Sequence, residues 1–437
     1  MKKSAYEDAF RPRTISPDQH RLSPAQVSRS ALQVIRTLQA ADFSAEVVGG
    51  CVRDLLLGHA PKDFDVVTDA EPEEIRRLFR RARLIGRRFR LAHVRVGREI
   101  VEVSPYRATP DHSEDVSGTD NSNGQILRDN VFGNRDSDAQ RRDFSINALY
   151  YDPVANTLVD YAGGFEDLGA GVLQTIGDPI VRFREDPVRM LRAIRFVSRL
   201  SLRLEAATES ALGSSAGLLS SVAPPRLFDE SLKLFQNGHA ESSFRLLREF
   251  AMLPELLADA SHYDEMLDLD NQKGFVWLAL RSTDKRVKTL KVVNPAFLYA
   301  VLLWRPLRFE AARLANASQA PLQPLQQAAA LVFARLNERI TVPRRMTSAM
   351  FDIWELQRRL ELRRKRTLTR LTNHRWFRAA YDFLLLRAAA GEVDQTLADR
   401  WTELQAATPS RRHRMIVSLG QSRGRRRHKG CRRQATL

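Results

Sequence analysis

Asp63 and Asp65, in Lys62-Asp63-Phe64-Asp65-Val66-Val67, are the residues with the clearest chemical potential. In an extended segment, side chains alternate between faces. Both carboxylates would therefore leave one face while Phe64 and Val66 point to the other. Two convergent carboxylates are hard oxygen donors suited to Mg²⁺ beside a phosphate chain. Upstream, Val47-Val48-Gly49-Gly50-Cys51-Val52-Arg53-Asp54 reads as a strand, a two-glycine turn and a short helix that stops at Gly58. Glycines let backbone N–H groups approach a ligand, and a helix start adds partial positive charge, so the turn is suited to a phosphate. A solitary Asp-x-Asp also occurs on solvated strand edges, and Gly-Gly is often only a turn. Together, and in this order, they point to metal-assisted activation of a nucleoside triphosphate.

Other elements must position these groups. Ser23-Pro24-Ala25 predicts the start of a helix that buries Val27, Ala31, Val34, Ile35 and Leu38. Glu71-Pro72-Glu73-Glu74 opens another, with Ile75, Leu78 and Phe79 inward. Residues 88–96 and 99–103 alternate as two strands around a Gly97-Arg98 turn. Alternation sets Glu102 opposite Val101 and Val103, either as a third carboxylate or as a solvent-facing glutamate. Arg87, Arg88 and Arg90 are either phosphate contacts or exposed hairpin arginines. Residues 108–125 carry almost no large apolar group and read as a mobile loop. Arg141 to Tyr151 reads as a helix entering a strand, burying Phe144 and Ala148 and leaving Arg142, Asp143 and Asn147 for a ligand. The glycine-rich 152–176 segment reads as a small hairpin and turn. From Glu185-Asp186-Pro187 onward the pattern is helical, including 226–235, 294–304 and 324–338. Asp186, Arg189 and Arg192, spaced by three, form either a ligand-binding edge or a solvated salt-bridged face.

The 437-residue chain carries a net charge of +17, for which nucleic acid is the commonest partner and an anionic membrane surface the rival. No run of about 18 apolar residues suggests a membrane span, and the polar start lacks the apolar core of a signal peptide. Two distant cysteines, Cys51 and Cys431, make neither a disulfide framework nor a zinc site and fit a cytoplasmic setting. No acidic residue follows Glu403, and the arginine-rich tail is expected to be disordered and to hold polyanions without sequence preference.

Val48-Gly49-Gly50-Cys51-Val52-Arg53-Asp54, Asp63-Phe64-Asp65, Arg141-Arg142-Asp143-Phe144-Ser145-Ile146-Asn147-Ala148 and Glu185-Asp186-Pro187-Val188-Arg189-Met190-Leu191-Arg192 together resemble the class II nucleotidyltransferases. That superfamily contains the bacterial tRNA nucleotidyltransferases and poly(A) polymerases. Leu84-Ile85-Gly86-Arg87-Arg88-Phe89, Leu127-Arg128-Asp129-Asn130 and the basic tail tilt the resemblance toward the poly(A) polymerases. Cys51 departs from it, standing where those enzymes more often have a third glycine.

The resemblance implies an α+β fold: a catalytic head with a mixed sheet, then an all-helical neck, body and RNA-binding region. The corresponding boundaries are a basic arm at 1–22, the head at 23–176, a neck at 177–240, a body at 241–405 and the tail at 406–437. Asp63 and Asp65, joined by Glu102, would hold two Mg²⁺ ions, and Asp143 is a further active-site aspartate. Gly49, Gly50 and Arg53 would contact the triphosphate, Asp186 and Arg189 would hydrogen-bond the nucleotide base with Arg192 nearby, and Arg142 is a further nucleotide-binding residue. The implied reaction transfers AMP from ATP to RNA 3′ ends; the alternative is a CCA- or A-adding tRNA enzyme.

Overall fold

The computed structural model describes residues 12–86, 90–108, 131–257, 273–317, 324–362, 371–408, 410, 411 and 414. Arg87, Arg88, the 109–125 part of the expected loop, the Leu127–Asn130 motif and most of the tail lie outside them, as do residues 1–11 of the arm. The chain divides into two compact units, Met1–Ser221 and Val222–Leu437.

The first unit is built on an eight-stranded sheet. Its strands are β1 (Arg13–Ile15), β2 (Ala45–Val48), β3 (Asp65–Thr68), β4 (Ala82–Ile85), β5 (Leu91–Val96), β6 (Glu99–Pro105), β7 (Leu149–Asp152) and β8 (Thr157–Asp160). They lie in the order β1-β8-β7-β2-β3-β6-β5-β4, and only the β3–β6 pair is parallel. The sheet is mixed, as expected for the head.

Strand alternation gives the sheet two dissimilar faces. Val47, Val66, Val101, Val103 and Tyr151 face a large core shared with Ala31, Val34, Ile35 and Leu38 of the Arg29–Gln39 helix. Their neighbours Val48, Val67 and Tyr150 join a smaller cluster with Tyr106, Ala139 and Tyr161. Asp65 precedes Val67 by two residues and so shares the second face. The parallel register sets it directly beside Glu102 on β6.

Several local expectations change. Ser23 caps only a short Pro24–Gln26 turn, and the long helix starts at Arg29 with Ser28 accepting from Ala31 N–H. The carboxylate strand begins at Asp65, because its neighbour β2 leaves the sheet at Gly49 and gives Asp63 and Phe64 no ladder partner. Asp63 is therefore an exposed residue ahead of the strand, 3.8 Å from the Lys62 ammonium. Residues 141–144 are not helical. A helix at Arg135–Gln140 ends before them, and a tight turn at Ser145–Asn147 leads into β7. The 152–176 segment contains, besides the β7–β8 hairpin, a Gly164–Ala170 helix. The Gly97-Arg98 hairpin turn forms as read, with φ of 60° at Gly97.

The second unit is helical over its described residues, including Pro224–Phe235, Pro295–Leu302 and Pro324–Arg339. One of its cores gathers Leu356, Leu360, Phe377, Tyr381, Leu384 and Trp401. No helix among the described residues is long and apolar enough to cross a membrane.

Gly164 is where packing is least forgiving. A Cβ there would lie 2.1 Å from the Ser145 carbonyl oxygen, in the turn that precedes β7. Gly164→Ala should cost about 1–3 kcal/mol, read as a lowered midpoint in urea unfolding; an unchanged midpoint would show that the turn yields freely.

Candidate active site

The register of β2 against β3 brings the glycine turn to the start of the carboxylate strand: Val47 pairs with Val66, and β2 turns away just beyond, beside Asp65. Gly49 has φ of 76°, a conformation glycine adopts without strain, and it precedes the Gly50–Leu56 helix. A Cβ on Gly49 would sit 3.3 Å from Arg142 Nη1, so this glycine also lets a guanidinium lie against the turn.

On the second face of the sheet, Asp65 (β3), Glu102 (β6) and His93 (β5) stand side by side across three strands. His93 Nε2 is 3.7 Å from Glu102 Oε2. The Asp65 carboxyl reaches solvent but is flanked closely enough by protein to lose hydration. That desolvation raises its pKa to about 6, helped by the negative charges of Glu102 and Asp63 and opposed by Arg142. Among the described residues no three His, Cys, Asp or Glu side chains form a complete protein ligand set for a metal. Mg²⁺ binds through one or two carboxylates with water and substrate phosphates as its remaining ligands. Repelling carboxylates beside a glycine turn fit such an ion.

Arg142 is held in place from several sides. Its guanidinium donates to Asp138 Oδ2 at 2.8 and 3.0 Å and to the Tyr150 hydroxyl at 2.9 Å. Tyr150 in turn donates to Asp138 at 2.7 Å. The side chain is thereby fixed against the glycine turn, and its charge partly offsets the shift at Asp65. Asp138-Ala139-Gln140 carries part of the family resemblance in the sequence, but the sequence assigns neither Asp138 nor Tyr150 the bracing role that the structure shows.

Asp143 is buried, and both of its oxygens are engaged. Oδ2 accepts from Arg192 Nε at 2.6 Å, while Oδ1 accepts from Asn147 Nδ2 and the Phe144 N–H, each at 2.9 Å. Burial works against its charge, but Arg192 and these hydrogen bonds hold its carboxyl well below the usual carboxylate range. Asn147 Oδ1 accepts from Arg53 at 2.7 Å, Arg53 pairs with Asp54, and Asp54 accepts from Arg199 at 2.9 Å. Arg53 also lies over the Phe196 ring, 4.9 Å from its centroid. A continuous polar chain, Arg192–Asp143–Asn147–Arg53–Asp54–Arg199, thus ties the Gly50–Leu56 helix to the Val188–Leu200 helix.

Asp186 sits between the Pro179–Glu185 and Val188–Leu200 helices and accepts from Val188 N–H. Arg189 is buried, donating to Glu185 and the Arg182 carbonyl at 2.9 Å and to the Arg141 carbonyl at 3.3 Å. Arg182 donates to the Arg142 carbonyl, and burial together with neighbouring Arg189 lowers its pKa to about 10. The structure therefore brings Gly49, Asp65, Glu102 and Arg142 together, and joins Arg53, Asp143 and Arg192 in one network. Asp63 stands exposed ahead of β3. Cys51 is buried with its thiol pushed up to about 12, first by burial, which leaves it no thiolate character.

This fold and this constellation define a nucleotidyltransferase. The family model described as the poly A polymerase head domain matches residues 45–174, one described as a probable RNA and SrmB-binding site of polymerase A matches 201–263, and one for an arginine-rich polymerase A C-terminus matches 317–434. Poly(A) polymerase I of Salmonella typhi is 41% identical, over 97% of this chain and 94% of its own length. Its Haemophilus influenzae counterpart is 43% identical over 95% and 93%. The chain belongs to the bacterial poly(A) polymerase family. A CCA-adding enzyme of Lactobacillus helveticus is 36% identical but over only 56% of this chain. The solved CCA-adding enzyme of Bacillus stearothermophilus in complex with CTP matches with a TM-score of 0.54 at 25% identity, covering 91% of this chain and 82% of that one.

A raised carboxyl pKa favours the neutral form, and a metal ion needs the ionised one, so metal binding at Asp65 should strengthen as pH rises through about 6. Carbon-detected NMR should show Asp65 titrating near 6 in metal-free protein and lower with Mg²⁺. A titration unmoved by Mg²⁺ would remove Asp65 from the metal site.

Proposed function

We propose that this chain adds adenylates to RNA 3′ ends without a template, releasing pyrophosphate from ATP at the site centred on Asp65. The observation that carries this reading is the pairing of Asp65 with Glu102 on neighbouring strands, with the Gly49 turn and its following helix at the start of the Asp65 strand. Near-full-length similarity to poly(A) polymerases supports adenylate tailing over CCA addition, whose relatives match about half the chain.

In this reading Asp63, Asp65 and Glu102 would hold two Mg²⁺ ions, whose chemistry there would be to lower the pKa of the attacking 3′-hydroxyl and to stabilise charge on the phosphates. Gly49 and Gly50 cradle the triphosphate through backbone N–H groups, and Arg142 offsets its negative charge. Arg53 acts through the network behind the turn. Asp143 orients Arg192, which with Asp186 forms the edge that reads the base, and Arg189, its guanidinium turned inward, supports that edge from behind. Positioning and electrostatics supply most of the rate, as in phosphoryl transfers generally. Residues 23–176 form the head, 177–240 the neck and 241–405 the body. The arginine-rich segments grip RNA electrostatically. Such an enzyme works in the cytoplasm, where its RNA and ATP are found.

Extension reactions with Mg²⁺, each nucleoside triphosphate alone, and two primers test this directly. One primer is an unstructured oligonucleotide and the other a tRNA lacking its CCA end. A long ladder on both with ATP alone is expected, and Asp65→Asn should lower the rate about 10³-fold or more while RNA affinity stays within about twofold. Addition confined to C, C and A on the tRNA would make the chain a tRNA enzyme.

A further inference from the structure

The second unit contains a cavity of about 350 Å³ between the Phe275–Lys288 helix, the 289–294 loop and the Phe377–Ala389 helix. Arg286, Phe297, Arg375, Trp376, Arg378 and Asp382 are on its wall. Three guanidiniums thus meet two carboxylates, Asp382 on the wall and Asp352 beside it. Asp382 pairs with Arg286 at 3.4 Å and Arg378 at 3.2 Å, which fixes where these cations point. Arg375 lies against Trp376, 5.7 Å from the ring centroid, and pairs with Asp352 at 3.3 Å. The Arg375 and Arg378 side chains are 72% and 71% exposed, so both remain open to an incoming anion. Trp376 is half-buried, its ring packed partly on the core beneath, and its buried indole N–H has no hydrogen-bond partner among the described residues. Val292, also on the wall, is 88% exposed, an apolar side chain held in water.

We propose that this cavity is a nucleotide subsite that receives unpaired bases of single-stranded RNA. A base would lie against Trp376 and Phe297 while Arg375 and Arg378 meet the adjoining phosphates. Unstacked bases find aromatic and guanidinium planes in this way, and an excess of arginine follows the backbone. The excess of cations favours a polyanion over a neutral or basic peptide. The volume, at the low end of the about 300–1,000 Å³ usual for ligand pockets, suits a base better than a helix laid along a groove. The inference rests on the tailing reading only in naming RNA as the ligand.

The test uses the full chain, a fluorescent oligoadenylate and a blunt RNA duplex, with Trp376→Ala and the double variant Arg375→Gln/Arg378→Gln. Trp376→Ala should weaken oligoadenylate binding roughly tenfold and duplex binding little. The double variant should flatten the slope of log Kd against log salt by roughly 1.4, about 0.7 for each phosphate that is no longer neutralised. In both, the KM for primer should rise while the KM for ATP and kcat at saturating primer hold. Circular dichroism checks that Trp376→Ala folds, and the surface arginine variants carry the test if it does not. Parental affinity, slope and primer KM in the arginine variant would overturn the subsite, as would a loss seen only in capture of a protein. Parental protein that binds oligoadenylate but never extends it would refute the tailing reading and leave the subsite standing.

Discussion

The pairing of Asp143 with Arg192 is the interaction on which the candidate site depends most. Asp143 is buried beside β7, and its charge is tolerable there because a guanidinium and two N–H groups satisfy it. The same carboxylate orients Asn147, which orients Arg53 behind the glycine turn. One buried charge therefore sets both the phosphate-facing turn and the helix that carries Arg189 and Arg192. Because its pKa is depressed, its stabilising contribution is present above the ordinary carboxylate pKa and is lost as pH falls through the lower folded value.

Asp65 has the opposite electrostatic setting. Where Asp143 is neutralised by its surroundings, Asp65 is left with like charges from Glu102 and Asp63. The fold thus separates a carboxylate satisfied by protein from one that is desolvated and crowded by like charges, and the β2–β3 register places the second beside the glycine turn. Arg142, braced by Asp138 and Tyr150, is the cation that lies against the turn and partly offsets the Asp65 shift.

Much of this was legible in the sequence because local chemistry carried it. The two-glycine turn, the Gly97-Arg98 hairpin and the alternation around Glu102 each follow from glycine conformations or a period of two. The start of β3 was not legible, since it depends on where the neighbouring β2 leaves the sheet. Residues 141–148 defeat a periodicity reading because Phe144 and Ala148, spaced as on one helix face, flank the tight Ser145–Asn147 turn that packs against Gly164. The polar chain through Arg53, Asn147 and Asp143 joins residues far apart in sequence, and only tertiary structure brings them together. Charge composition pointed to nucleic acid, but not to which arginines are committed to internal pairs, such as Arg387 with Glu361 and Glu392.

A double-mutant cycle between Asp143 and Arg192 tests the central coupling most directly. Asp143→Asn, Arg192→Gln and the double variant would be compared by denaturant unfolding and by the KM for ATP. Each single change should cost about 1–3 kcal/mol, discounted because Arg192 is part-exposed, and the double variant little more than either one. The KM for ATP should rise in all three. Additive losses with an unchanged KM would contradict the account, showing two residues that touch without acting together.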